Sequence, residues 1–314
     1  MKIAKFFPQK TRSNQDIVEM HPDYSVDKIS KKIGISNRYI AGKDEFASDL
    51  GSNAANNLFI KYNIDICEID FLILVTQSPD YLLPATSSVI HANIGLSNKA
   101  GNIDVNQGCS GYLYGLSLAK GLLKGGISKN VLLITADTYT KYISNEDKSN
   151  KTIFGDAATA SLLTITDANN IGEFIFGTDG KGVKDLYVKG GALRDTGLKP
   201  EIFMNGPNVF NFTIRVVPEL IKNVLNINNS NIDEIDYFIF HQANMFMLSH
   251  LRKKINIPEN KFIIDMDNSG NTVSSTIPIV LENSKINFSG RTILLAGFGV
   301  GLSWSAVIIR DYGL

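Results

Sequence analysis

The sequence predicts an α/β protein built from two related halves, residues 1–165 and 166–314, on three observations. Apolar, strand-length runs at 71–75, 103–105 and 131–136 return in the same order near 237–241, 262–266 and 292–297. Their offsets agree closely, at 166, 161 and 161 residues (71 to 237, 103 to 264, 131 to 292). A helix-length segment separates the second and third run in each set. Runs that are apolar throughout and joined by helical crossovers specify buried parallel sheet. Chance is the alternative for strands this short, and recurrence in register weighs against it.

Taken in order, residues 1–8 lack the long apolar segment of a signal peptide, and no window reaches ~18 uninterrupted apolar residues. No leader and no membrane span are therefore expected. Cys67 reads as a small, buried, inert hydrophobe. The run at 102–105 leads into Asn106, Gln107, Gly108, Cys109, Ser110 and Gly111, after which 112–119 is apolar at helical spacing. Small residues around Cys109 permit a tight turn and close approach of a carbonyl. A thiol on the first helical turn feels the positive helix end, which favours thiolate, and the N–H groups there can hold an oxyanion. This is a nucleophile elbow with sulfur in place of a hydroxyl.

Phe154, Gly155 and Asp156 read as a turn locked by its carboxylate. Residues 177–207 are polar, glycine-rich and too irregular to assign. Val209, Phe212, Val216, Leu220 and Val224 then give a helix one apolar face. His241 closes the first run of the second half; Gln242, Ala243 and Asn244 follow, then a helix through Leu248 and Leu251 to Ile255. Arg252, Lys253 and Lys254 near its end either suit the helix dipole or dock an acidic carrier, and the dipole is the simpler reading. Asn271 falls one residue past the repeat position of Cys109, after Ser269 and Gly270. Residues 296–304 read as strand, glycine turn, strand, whose backbone can set an N–H beside the nucleophile.

The 31 basic and 31 acidic residues balance, so no global field favours nucleic acid or an anionic membrane. Two cysteines make no disulfide framework and point to a reduced, cytoplasmic setting. The four histidines form no ligand-spaced cluster with cysteine, so no metal is expected. Ligand sites in parallel sheets gather beyond carboxyl strand ends. If the halves pack about a pseudo-twofold axis, Cys109, His241 and Asn271 converge on one pocket.

These motifs, with residues 33–40 and the Gly299, Val300, Gly301 turn, resemble the β-ketoacyl-acyl-carrier-protein synthase III family of the thiolase superfamily, over essentially the whole chain. The resemblance implies a thiolase-like duplicated αβαβα five-layered fold, usually a homodimer. It implies no cofactor, only phosphopantetheine-linked thioesters, CoA or acyl carrier protein (ACP), as substrates. Cys109 would take an acyl group from acyl-CoA or acyl-ACP. His241 and Asn271 would stabilise the enolate formed when malonyl-ACP loses CO2, and the N–H groups of Cys109 and Val300 would form the oxyanion hole. The resemblance makes Leu83, Phe154, Met204, Asn244, Phe298, Gly299 and Gly301 substrate-binding, with Leu83 reaching across the dimer. It makes Lys28, Lys32, Lys148, Arg252, Lys253 and Lys254 the CoA and carrier docking set.

The chain departs from the family at Lys28 and Lys148, where tryptophan and arginine usually hold the CoA adenine. Asn211 and Phe246 stand where basic residues are usual, and Val300 where glycine is common. Planar stacking is lost while charge is kept, which makes a carrier-bound primer conceivable. Three other functions compete. A Cys-His-Asn hydrolase fits the residue order, with the His 132 residues after the Cys (109 to 241), but the papain-type signature is missing. An acyltransferase to an amine or alcohol keeps the fold and the thiol. A degenerate subunit that only binds acyl carriers is opposed by intact Cys109, His241 and Asn271.

Overall fold

The computed structural model describes residues 1–194, 197–283 and 287–312, without the side chains of 28, 29, 311 and 312. The chain opens with β1 (Lys2–Phe6), β2 (Lys10–Ser13), α1 (Asn14–Met20), α2 (Val26–Ile33), β3 (Asn37–Ile40) and α3 (Ala47–Tyr62). It continues through β4 (Phe71–Val75), α4 (Thr86–Asn93), β5 (Gly101–Val105), α5 (Gly111–Lys124), β6 (Asn130–Asp137), α6 (Lys148–Lys151) and β7 (Ala157–Thr164). After α7 (Ile165–Asn170) come β8 (Ile175–Thr178), β9 (Leu186–Lys189), β10 (Glu201–Met204), α8 (Gly206–Ile227), β11 (Tyr237–Phe240) and α9 (Met245–Ile255). The last elements are β12 (Phe262–Ile263), α10 (Thr276–Glu282), β13 (Arg291–Gly299) and β14 (Ser303–Tyr312).

Two five-stranded sheets result, ordered β1-β7-β6-β4-β5 and β8-β14-β13-β11-β12. Strands β6, β4 and β5 run parallel, as do β13, β11 and β12. The outer pairings β1–β7, β7–β6, β8–β14 and β14–β13 are antiparallel. The sheets thus repeat strand for strand, with β4, β5 and β6 answered by β11, β12 and β13.

Alternation along the strands builds the layers. Leu72, Leu74, Leu132 and Ile134 pack outward against α3 and α4, while Ile73, Val75, Val131 and Leu133 turn inward. The inward set meets Tyr112, Leu113 and Leu116 of α5 and Ile277 and Leu281 of α10. Those two helices meet Ile239, Ile293, Leu295 and Val307 of the second sheet, whose other face carries Phe238, Phe240, Leu294 and Ile308 toward α8 and α9. The sequence of layers is helix, sheet, helix, sheet, helix, the thiolase-like duplicated αβαβα fold. A fully buried side chain of these types contributes ~1.5–3 kcal/mol, so the doubly covered central layer anchors both halves. Close approach there is specific: a Cβ on Gly111 would stand 2.5 Å from Val75 Cγ1, which sets the start of α5 hard against β4.

Two expectations are corrected, and one unassigned stretch gains structure. Residues 177–207 hold β8's end, a 3-10 turn (Gly180–Asp185) and the antiparallel pair β9–β10, strands of four residues each and too short to show a period. The run at 262–266 is strand only over Phe262–Ile263, because the Gln242 side chain takes over the pairing, accepting from Asp265 N–H at 2.8 Å. Cys67 is exposed on a 3-10 turn (Ile66–Glu68) capped by Asp65, and Ile69 turns inward instead.

Candidate active site

Each half delivers its polar groups at the carboxyl ends of its parallel strands, where such sheets present ligand sites. Past β5, Cys109 is buried one residue before Ser110, the N-cap of α5, and so precedes the first helical turn on which it was expected. Strand β13 brings a bare backbone onto it. A Cβ on Gly297 would stand 2.7 Å from Ser110 Cα, and one on Gly299 2.7 Å from Cys109 Sγ. Residues two apart share a face, so the two glycines let one strand edge touch the cysteine loop. The Val300 N–H hydrogen-bonds the Cys109 sulfur. The turn carrying it is pinned by Ser303 Oγ, which donates to Val300 C=O at 2.8 Å and lies 2.7 Å from Ser110 Oγ.

Burial pushes the Cys109 thiol up from 9.0 to about 12; the Val300 N–H pulls it down, Asp137 pushes it further up, and its own N–H pulls it down. That rise corresponds to roughly 4 kcal/mol. A helix end offers only ~0.3–1 kcal/mol in return. The thiolate expected from the helix dipole is therefore corrected: at neutral pH the resting group is a thiol, because desolvation wins.

His241 follows β11, and its N–H donates to Ala296 C=O at 2.8 Å, which extends the pairing with β13. The ring is 1% exposed and stands edge-on to Phe298 at 5.9 Å, with Nδ1 2.8 Å from Thr276 Oγ1. Burial lowers its pKa to about 3, while a hydrogen bond to the Val273 backbone acts the other way. The imidazole is neutral.

Asn271 sits in a contact that two glycines permit. Its N–H donates to Ile153 C=O at 2.9 Å, and its C=O accepts from Gly155 N–H at 3.1 Å. A Cβ on Gly155 would meet Ser269 O at 2.3 Å, and one on Gly270, where φ is +70°, would meet Ile153 O at 2.8 Å. The motifs at 154–156 and 269–271 are thus two sides of one junction between the halves. The Asp156 carboxylate does not close its own turn as expected but ties it to two other segments, accepting from Ala41 N–H at 2.8 Å and Thr140 N–H at 3.0 Å.

Asn271 Oδ1 accepts from Val273 N–H at 2.9 Å, and Thr276 Oγ1 donates to Val273 C=O at 3.2 Å. Val273 itself has φ +55°, a rare conformation for a β-branched residue that persists only where its surroundings impose it. His241 and Asn271 therefore meet at Val273. Cys109 and His241 meet at the Phe298–Gly299–Val300 segment, and Cys109, Phe154, Val273 and Phe298 share one core.

Sequence reasoning missed Gln77, Asp137, Tyr139 and Thr276. Asp137 ends β6 and accepts from Gln77 N–H at 2.8 Å, Ser274 N–H at 3.3 Å and the Ser274 hydroxyl. Burial raises it to about 7 against those bonds. Its place just past the run at 131–136, at a carboxyl strand end, is the signal that marks it.

The remaining expected residues divide. Phe154 and Phe298 are buried beside Cys109, and Gly299 and Gly301 flank Val300. Met204 is half-buried at the end of β10. Asn244 caps α9, its Oδ1 already accepting from Met247 N–H at 2.9 Å. Leu83 is 83% exposed. Lys32, Lys253 and Lys254 are exposed, whereas Lys148 pairs with Asp23 at 2.6 Å and Arg252 with Glu259 at 3.3 Å. Lys28 lies in α2 with its side chain outside the described residues. Phe246 packs on His250 at 4.3 Å and Phe210 at 5.3 Å. Among the described residues no group of His, Cys, Asp and Glu could hold a metal ion, and no helix is long and apolar enough to cross a membrane.

Comparison with known proteins agrees with this geometry. The 3-oxoacyl-[acyl-carrier-protein (ACP)] synthase III family matches residues 103–180, and its C-terminal part matches residues 225–311. The chain is 33% identical to the β-ketoacyl-[acyl-carrier-protein] synthase III of Clostridium tetani, over 99% of this chain and 97% of that one. It is 35% identical to the β-ketoacyl-[acyl-carrier-protein] synthase III 2 of Staphylococcus epidermidis, over 97% and 95%. A crystal structure of a 3-oxoacyl-(acyl-carrier-protein) synthase III superimposes with a TM-score of 0.92 at 41% identity, over 98% of each chain.

Proposed function

The chain belongs to the β-ketoacyl-acyl-carrier-protein synthase III family, and from that premise we propose that it condenses an acyl group held on Cys109 with a malonyl unit held on a carrier protein. In the first half-reaction the donor thioester carbonyl takes hydrogen bonds from the N–H groups of Cys109 and Val300. The sulfur attacks, the acyl–Sγ bond forms and the bond to the donor sulfur breaks. The thiol proton leaves with the donor thiol.

In the second, the malonyl thioester carbonyl accepts from His241 and from the Asn271 amide, whose Oδ1 is already committed to Val273. Loss of CO2 leaves an enolate, so no base is needed. Its carbon attacks the acyl carbon, the bond from that carbon to Sγ breaks, and Cys109 departs as thiolate and takes a proton from solvent. Thr276 has one hydroxyl proton for two acceptors. Given to His241 Nδ1, it leaves the ring proton on Nε2 as a donor to the enolate. No cofactor enters either half-reaction.

The observation that carries this reading is a neutral His–Asn pair held as hydrogen-bond donors rather than as a base and its orienter. It also counts against a Cys-His-Asn hydrolase, because Nδ1 of His241 rests on Thr276 and not on Asn271. Exposed Lys32, Lys253 and Lys254 suit an acidic carrier, and a cytoplasmic location fits the free cysteines. The halves divide at 1–165 and 166–314, since β7 ends at Thr164 and β8 opens the second sheet at Ile175. A homodimer is supported by β5, an open sheet edge with Ile103 exposed, and by the exposed Leu82 and Leu83. Leu83 then reaches the partner's acyl pocket.

The test is direct. Incubation with short acyl-CoA or acyl-carrier donors adds the acyl mass to Cys109, and malonyl-carrier protein discharges it with release of CO2 and a β-ketoacyl-carrier. Loading followed only by slow hydrolysis, or by transfer to an amine, rejects condensation.

A further inference from the structure

Beside the cysteine loop lies a cavity of about 260 Å³ whose walls differ in chemistry. Leu186 and Ile202 of the β9–β10 pair, with Val300, make one wall apolar. Gln77, Asn106 and Tyr139 make the other polar. The polar wall is built as a unit. The buried Tyr139 hydroxyl donates to Gln77 Oε1 at 2.5 Å, and Gln77 Nε2 donates to Asn106 Oδ1 at 3.0 Å. The Gln77 main chain is fixed too, with its N–H on Asp137 at 2.8 Å and its C=O accepting from Tyr142 at 3.3 Å. A Cβ on Gly108 would stand 2.3 Å from Gln77 Oε1 and 2.5 Å from Val300 Cγ1. The carboxamide and the oxyanion-turn valine therefore lie together over the residue preceding Cys109.

Among the described residues, the second Gln77 Nε2 hydrogen and the lone pairs of the Tyr139 oxygen have no partner. A saturated chain on Cys109 would strip water from these groups and return no hydrogen bond. Resting on the reading of Cys109 as the acylated residue, we propose that the acyl group loaded here is short and carries a neutral hydrogen-bonding oxygen, a hydroxyl or a carbonyl, a few bonds from the thioester. Shortness follows from the volume, which falls below the ~300–1,000 Å³ of ordinary small-molecule pockets. Neutrality follows from the lining, which holds no Lys or Arg and has the Asp137 carboxyl one hydrogen bond behind Gln77.

N-acetylcysteamine thioesters test this without regard to which carrier the enzyme prefers. Butyryl and 3-hydroxybutyryl thioesters are compared by the rate of mass gain at Cys109. The hydroxyacyl donor is expected to load at least about tenfold faster. Tyr139→Phe, which keeps the ring and removes only the hydroxyl, and Gln77→Leu are each expected to collapse that ratio toward unity. Equal or faster loading of butyryl by the wild-type chain overturns the proposal, as does an unchanged ratio in both variants. Absence of acyl mass at Cys109 from every donor overturns the underlying reading instead.

Discussion

Past the end of β5, Cys109 is buried, with Gly297 and Gly299 of β13 set close against it and two backbone N–H groups beside its sulfur. His241, just past β11, and Asn271, on the loop that follows β12, are held by hydrogen bonds to Thr276, Val273, Ile153 and Gly155. The two halves share a strand order and differ in how they hold their groups. The cysteine is positioned by space, and a close approach of bare backbone sets its surroundings. The His–Asn pair is positioned by polar contacts that converge on Val273, whose φ is +55°. Steric change should therefore damage the first half-reaction, and loss of polar groups the second.

The largest effect separates the halves outright. Cys109→Ala is expected to abolish acylation and lower condensation by at least about a thousandfold, while malonyl decarboxylation persists. His241→Ala is expected to lower decarboxylation by ~10²–10³ and to leave some acyl mass on Cys109. Mass spectrometry and CO2 release read the two activities separately, and equal loss of both in both variants would break the comparison.

Gly299→Ala probes the steric side. The new Cβ would stand 2.7 Å from Cys109 Sγ, so acylation should fall about a hundredfold, as misplacement by about 1 Å does. Decarboxylation should change little. A matching loss in decarboxylation would mean that the glycine shapes the whole pocket and not the cysteine alone.

The smallest effect concerns pH. With the thiol pushed up to about 12, the thiolate fraction rises with pH across the neutral range. Alkylation of Cys109 by iodoacetamide should accelerate about tenfold per pH unit from pH 7 to 10, monitored at Cys109 because Cys67 is a second, exposed thiol. A plateau below pH 8 would return the helix dipole to the leading role.

Much of this site can be read in the chain itself. Cys109, His241 and Asn271 stand at ends of apolar runs that repeat in register, and apolar periodicity is a local property set by which faces must be buried. The same runs predict two related α/β halves, while the five layers follow from the family resemblance. Thr276, Asp137, Gln77 and the polar cavity wall escape such reading, since their partners lie far along the chain, 35 residues apart for His241 and Thr276 and 137 for Asp137 and Ser274. The protonation of the cysteine belongs to the tertiary structure as well. A helix dipole is written in local sequence, but desolvation depends on what every other segment packs over the sulfur, and burial is the larger energy.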